Sequence, residues 1–276
     1  MNLFNPPSPK AAVIIPVYKP CLSRHEQLSL KQCCKVLGSH PIVLIKPHSL
    51  PAEKFRVYKD DIRVESFDDH WFRSISGYNQ LMLCSDFYAR FINYDYILIY
   101  QLDAFVFRDE LSYWCKKNYD YIGAPWLAPP IKANAIKRFK HTKLQHKAYT
   151  RNTMQPGTIL PVDLQFVNKV GNGGFSLRRV RKFYEICLKE RQMIDFYNRN
   201  NTHHFFNEDV FWSLEVNRRR RRLKIPGYKE ASAFSIEFNP EYAFTLTKGK
   251  LPFGCHAWDL YSGFWQGIFN NFDYTI

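Results

Sequence analysis

The stretch Tyr96–Phe107, YILIYQLDAFVF, decides the fold. Tyr96 to Tyr100 are all apolar or aromatic; Gln101, Leu102 and Asp103 follow, and a second apolar run begins. A short, unbroken apolar run marks a strand covered on both faces, as in parallel sheets. Ligand crevices of open α/β sheets lie outside the carboxyl ends of such strands. A carboxylate at that point is costly to desolvate unless it meets a cation, a donor or solvent. Asp103 is therefore the first candidate for chemistry. The bland alternative is an Asp that closes a turn or caps a helix starting near Asp109.

Working outward, Ala11 to Val17 (AAVIIPV) reads as a buried strand. Cys21 to Leu37 has a loose helical face, and Pro41 to Ile45 (PIVLI) is a second strand. This strand, helix, strand opening predicts an α/β fold: one domain with a central, mostly parallel sheet flanked by helices. No GxGxxG follows the first strand and no GxxxxGK[ST] occurs, so neither a dinucleotide fingerprint nor a P-loop is supported. Ile62 to Phe67 is a short strand, Ser74 to Phe91 a single helix, and Asp109 to Lys117 another. Residues 128–160 are basic and poor in apolar runs, too long for an ordinary connector. They read as a loop, either a mobile cover over a site or a plain surface insertion. Order returns at Val170, with a helix expected over Arg178–Arg191 and another opened by Asn207-Glu208-Asp209. Residues 225–247 read as short strands and loops. The parts are thus a Pro-rich lead-in (1–10), a first half (11–127), the basic loop (128–160) and a second half of the same domain (161–276).

Composition narrows the function. With 276 residues, 46% hydrophobic and 17% aromatic, the chain can bury a sizeable core. The aromatics exceed what a core needs; they supply sugar- or base-stacking surfaces or reflect composition bias. Thirty-nine Lys and Arg against 25 Asp and Glu give a formal charge of +14. Such a protein seeks nucleic acid, anionic lipid or phosphorylated small molecules. No helix-turn-helix, RRM or zinc-finger signature points to specific nucleic acid. Seven cysteines without a CxxC pair read as reduced, packed thiols. The N-terminus has no signal-peptide h-region, and no run is long enough to span a bilayer. The expected location is the cytoplasm, or the inner face of its membrane, met through Lys132–Lys147 and the five arginines Arg218–Arg222.

Four signals occur in order: QLD at 101–103, GNGGFSLR at 171–178, NEDVFW at 207–212 and PFGCHAW at 252–258. Behind an N-terminal α/β unit they resemble the GT-A class of nucleotide-sugar glycosyltransferases. More closely, they resemble the bacterial glycosyltransferase-like family DUF5672, over about residues 11–265. The resemblance implies that 11–127 binds a nucleotide-sugar donor, with a UDP-sugar the habitual one. It implies that 161–276 binds a glycan or lipid-linked acceptor of a surface-polysaccharide pathway (capsule, O-antigen or lipopolysaccharide).

QLD stands where GT-A proteins carry DxD, whose carboxylates hold Mn²⁺ or Mg²⁺ against the diphosphate. Gln101 replaces the first Asp, so Asp103 alone matches, and a C-terminal His256 is the further metal ligand implied. Pro16, Tyr18, Gln101, Asp103, Gly173, Gly174 and Arg178 are the donor-binding candidates. Paired glycines let a backbone approach a ligand closely. In NEDVFW, Asp209 is implied as the base that deprotonates the acceptor hydroxyl, with Glu208 its partner, or the reverse order. An acidic pair at a helix start also simply suits the helix dipole. Phe175, Trp212 and Trp258 are the acceptor-binding candidates, with Trp258 and Trp265 equally suited to a core. The rivals are a basic nucleic-acid-binding protein and a catalytically idle glycan-binding relative.

Overall fold

The computed structural model describes residues 9–274 and 276. Most of the expected lead-in, residues 1–8, lies outside the described residues. The chain starts with β1 (Ala11–Pro16), α1 (Arg24–Leu37), β2 (Ile42–Pro47) and β3 (Arg63–Phe67). Next come α2 (Ile75–Met82), α3 (Ser85–Arg90), β4 (Tyr96–Tyr100), β5 (Phe105–Val106), α4 (Leu111–Lys116), β6 (Tyr121–Ile122) and α5 (Ala135–Thr150). The second half holds β7 (Phe175–Arg179), α6 (Val180–Lys189), α7 (Arg191–Asn200) and α8 (Glu208–Val210). A π-helical turn (Phe211–Glu215) leads from α8 into α9 (Val216–Arg218). Then follow α10 (Tyr228–Phe234), β8 (Ser235–Ile236), α11 (Pro240–Leu246), β9 (Gly254–Cys255) and α12 (Ser262–Asn270).

The main sheet has the order β3-β2-β1-β4-β7-β6. Strands β1 to β4 are parallel, and β7 runs antiparallel to both β4 and β6. The α/β architecture expected from the sequence is the one observed. The central strands alternate between two buried faces. Val13, Ile15, Leu98 and Tyr100 enter one apolar cluster, while Ala12, Ile14, Ile97 and Ile99 enter the other. A three-stranded sheet, β5-β9-β8, packs over a third cluster built on Phe105, Trp258, Trp265 and Phe269.

From β1 the chain first moves outward to β2 and β3, then crosses back to place β4 on the other side of β1. The strand order therefore reverses between β1 and β4. Loops leaving a sheet diverge at such a point and open a crevice at the strands' carboxyl ends. Residues 16–19 and 101–103 sit there. β7 is antiparallel, so the turn before it reaches the same edge; Tyr100 faces Phe175, and Gln101 N donates to Gly174 O at 2.8 Å.

Four segments differ from their sequence reading. Ser74–Phe91 is two helices, α2 and α3, because the Met82 carbonyl is taken by Tyr88 Oη (2.8 Å) and Trp212 Nε1 (3.3 Å). Those bonds satisfy the end of α2 and let the chain turn. The helix expected from Arg178 begins at Val180; Arg178 lies on β7. Residues 225–247 carry two helices, α10 and α11, not strands and loops alone. The basic stretch 128–160 is not a loop throughout, since α5 occupies sixteen of its residues. Its Lys, Arg, Leu, Gln and Ala are good helix formers, and Asn134 Oδ1 caps it by accepting from Lys137 N at 2.9 Å. Among the described residues no helix is long and apolar enough to cross a membrane.

Candidate active site

A cavity of about 640 Å³ opens at the reversal point between β1 and β4. Its walls include Pro16, Tyr18, Gln101, Asp103, Gly173, Gly174, Glu208, Asp209 and His256, so nine of the residues singled out from the sequence share one cleft. Three others do not reach it. Phe175, Trp212 and Trp258 are each 0% exposed. Phe175 packs on Phe234 and Phe253, Trp212 on Phe183, and Trp258 on Phe269. These three are core residues and do not form the acceptor wall expected of them. Trp265 is likewise fully buried.

Arg178 is the fourth residue off the surface of the cleft, but it acts from beneath. Its guanidinium is fully buried and donates to Glu208 Oε1 (2.9 Å), Tyr88 Oη (3.0 Å), Ser176 Oγ (3.0 Å) and Gly173 O (3.3 Å). Burial opposes its charge, yet the Glu208 carboxylate more than offsets this and raises the pKa. Glu208 is fixed from its other end too, because its backbone N donates to Asn79 Oδ1 at 3.1 Å. Its second oxygen, Oε2, is buried without a protein partner. A buried carboxylate oxygen left with spare acceptor capacity beside a cavity is suited to a donor from a ligand.

Asp209, next in sequence, lines the cavity. Burial, followed by the negative charge of Glu208 and then of Glu237, pushes its carboxyl up to about 7. Of the two neighbouring carboxylates, Glu208 is paired with a buried cation, and Asp209 is poised to exchange a proton near neutrality.

Opposite them, His256 follows β9. Its Nε2 lies 3.0 Å from Asp103 Oδ1 and 3.2 Å from Gln101 Oε1, and its Nδ1 lies 3.4 Å from Glu237 Oε1. Burial opposes a charge on the ring, but Asp103 and Glu237 outweigh it and raise the imidazole to about 10. Asp103 is 44% exposed at its side chain; burial raises its pKa, but His256 shifts it lower overall. Parallel pairing of β8 with β9 sets Ile236 opposite Cys255 and so brings Glu237 beside His256.

The two glycines expected to admit a ligand are needed by the chain itself. A Cβ on Gly173 would lie 1.9 Å from Glu208 Oε1, and one on Gly174 would lie 1.9 Å from His256 Nε2 and 2.6 Å from Gln101 Oε1. Each glycine is the seat of one charged cluster. Lys19, Arg73, Tyr78 and Asn79 are among the cleft residues that no motif announces. Lys19 pairs with Glu26 at 2.9 Å, and the Tyr78 hydroxyl is buried beside the Gln101 side chain.

The resemblance to GT-A proteins implies a divalent ion, and the donor set can be tested against it. Among the described residues no group of three His, Cys, Asp or Glu side chains is arranged for a metal. The set available is Asp103 Oδ1, His256 Nε2 and the Gln101 amide oxygen, with spacings of 3.0 and 3.2 Å about Nε2. Ligands about 2.1 Å from an octahedral ion stand about 3 Å apart on adjacent corners, so the spacing suits one ion. Two oxygens and one imidazole suit Mn²⁺. Glu237 on Nδ1 supplies the outer carboxylate that turns a ligating histidine's other nitrogen toward the metal. The residues fit.

What fold and cleft define is an α/β protein with a polar, ligand-sized cavity at the strand-reversal point, carrying two adjacent carboxylates on one wall and a His–Asp–Gln cluster on the other. Residues 61–256 match the family described as "Protein of unknown function (DUF5672)", and the chain belongs to that family. No curated protein matches it significantly. Among solved structures, it is similar to the Mn/GDP form of core-mannan synthase A (CmsA/Ktr4) from Aspergillus fumigatus. The TM-score is 0.47 and the identity 13%, over 80% of this chain and 73% of that one.

Proposed function

We propose that this protein is an inverting, GT-A-type glycosyltransferase that moves a sugar from a nucleotide-sugar donor to a hydroxyl of a glycan or lipid-linked acceptor. The observation that carries the reading is the meeting of Asp103 and His256 with Glu208 and Asp209 across a single cavity. In this scheme the donor diphosphate lies along the carboxyl ends of β1 and β4, near Tyr18, Lys19, Gln101 and Asp103. Asp103, His256 Nε2 and Gln101 Oε1 would hold a divalent ion, which supplies positive charge against the departing diphosphate. Glu208 Oε2 accepts a hydrogen bond from an acceptor hydroxyl. Asp209 takes the proton of the attacking hydroxyl. The acceptor oxygen forms the new bond to the anomeric carbon as the bond from that carbon to the diphosphate oxygen breaks. The nucleoside diphosphate leaves with the electron pair, and the sugar inverts at that carbon. A UDP-sugar donor and a surface-polysaccharide acceptor rest on family resemblance alone.

A thermal-shift screen of nucleotide sugars, with and without Mn²⁺, tests the donor site, because a ligand that binds only the folded state raises the melting temperature. The expected result is a shift that Mn²⁺ enlarges and that Asp103→Ala removes. Asp209→Asn should retain the shift and lose turnover, measured as nucleoside diphosphate release. No shift with any nucleotide sugar, combined with salt-sensitive binding of generic RNA or DNA, would overturn the proposal in favour of a nucleic-acid-binding protein.

A further inference from the structure

Helix α5 is held to the body of the protein by one side only. His141, Gln145, Ala148 and Tyr149 face inward: Gln145 Nε2 bonds the Val167 carbonyl, Tyr149 Oη donates to Leu214 O at 3.1 Å, and Ala148 is buried. On a helix of 3.6 residues per turn, Ile136, Lys140, Lys143 and Lys147 fall on the opposite, outward side, flanked by Phe139 and Leu144. Ile136 is 67%, Phe139 60% and Leu144 56% exposed. The Lys143 ammonium lies 4.7 Å from the centre of the Phe139 ring, so the charge sits directly on the apolar surface.

The helix itself carries charge of one sign, with exposed Asp163 on the turn packed against it. Residues 121–162 contain seven Lys and Arg and no Asp or Glu. Past the end of the helix, Arg218 pairs with Glu215 and bonds the Tyr149 carbonyl, and Arg219, Arg220 and Arg221, which follow it, are exposed. A polyanion of any kind would meet the cations. A bilayer takes up both the cations and the three large apolar side chains set among them, burying the latter at the headgroup boundary while the lysine stems reach up to the phosphates.

We propose that α5 is an interfacial helix that docks this protein on an anionic phospholipid bilayer. Ile136, Phe139 and Leu144 enter the headgroup layer, and Lys140, Lys143 and Lys147 pair with lipid phosphates. The proposal does not depend on the glycosyltransferase reading, since its surface shares no residue with the cleft.

Sedimentation with vesicles tests it. The full chain should bind vesicles of equal parts phosphatidylglycerol and phosphatidylcholine and ignore pure phosphatidylcholine. The triple variant Ile136→Ser/Phe139→Ser/Leu144→Ser should lose about tenfold in vesicle affinity while its melting temperature stays unchanged, because these side chains cover no core. Lys140→Gln/Lys143→Gln/Lys147→Gln should lose a similar factor, and raised salt should reproduce the loss by screening. Failure of the wild-type chain to bind the anionic vesicles would overturn the proposal. So would binding untouched by the serine triple variant, or single-stranded RNA that displaces the vesicles and binds the serine variant as well as wild type. Those results would mark a polyanion surface and not a membrane face.

Discussion

At the scale of single residues, Asp209 and Glu208 show how one chain gives two adjacent carboxylates opposite surroundings. Glu208 meets Arg178 at 2.9 Å, whereas Asp209 has burial and two like charges against it and is pushed up to about 7. If Asp209 is the base, its working form is the carboxylate, so kcat/KM should rise with pH through about 7 and level off above it. The same shift has a stability consequence of the opposite sign. The folded-state pKa is above the unfolded one, so the folded protein holds a proton that the unfolded chain has released between about 4 and about 7. This stabilisation is complete below the unfolded pKa and disappears as pH rises through about 7. Asparagine mimics the protonated form. Asp209→Asn should therefore gain in melting temperature relative to wild type on moving from pH 5 to pH 8, while its turnover falls about 10²–10⁴-fold. A difference in melting temperature that does not change with pH would remove Asp209 as the titrating group. Four short motifs located Asp103, Glu208, Asp209 and His256. Glu237 was invisible because no motif surrounds it and only the pairing of β8 with β9 brings it to His256. Phe175, Trp212 and Trp258 were misplaced for a related reason: an aromatic side chain serves a core or a sugar equally well, and sequence order does not say which.

At the scale of elements, β7 and the helical run from Glu208 to Arg218 are joined by the buried Arg178–Glu208 pair. The chain gives little warning of this, since Arg178 and Arg179 look like the polar start of the helix that follows. Breaking such a pair from one side leaves an uncompensated buried charge and costs about 3–5 kcal/mol. Arg178→Leu should thus be strongly destabilised in urea unfolding. Arg178→Leu/Glu208→Leu should recover most of the loss, because an apolar replacement of both partners removes the desolvation cost of both. On the proposed mechanism the double variant should remain inactive, since the Glu208 oxygen offered to the acceptor is gone. A double variant no more stable than the single one would show that the pair is not the link between strand and helix. The π-helical turn Phe211–Glu215 lies directly after the two carboxylates; such turns are rare and gather at functional sites. Helix α5 is not legible as a helix because its inward face is built from His141, Gln145, Ala148 and Tyr149, with too little apolar contrast for a periodic signal.

At the scale of the whole molecule, the chain's two halves are interleaved through one sheet. β7, from the second half, lies between β4 and β6, both from the first, and β6 has no other partner in the sheet. The reversal of direction at β7 was not legible, because a strand covered on both faces has the same apolar character whichever way it runs. The parallel β1–β4 core was legible, since the unbroken runs at Ala11, Pro41 and Tyr96 admit few other placements. Interleaving has a physical consequence. Removing residues 161–276 would strip β7 from the sheet, expose the edge of β4 and leave β6 unpaired, so the fragment 1–160 should not fold alone. The halves should instead unfold together in one cooperative transition, with calorimetric and van't Hoff enthalpies in agreement. Cutting the backbone differs from removing the half. A protease site placed in the exposed turn at Gly157, outside any helix or strand, leaves every ladder bond of the main sheet intact. After cleavage there, the two fragments should co-elute as one particle and separate only in denaturant. Fragments that part under native conditions, or two separate melting steps in the uncut chain, would show that β7 binds the sheet more weakly than its place between β4 and β6 requires.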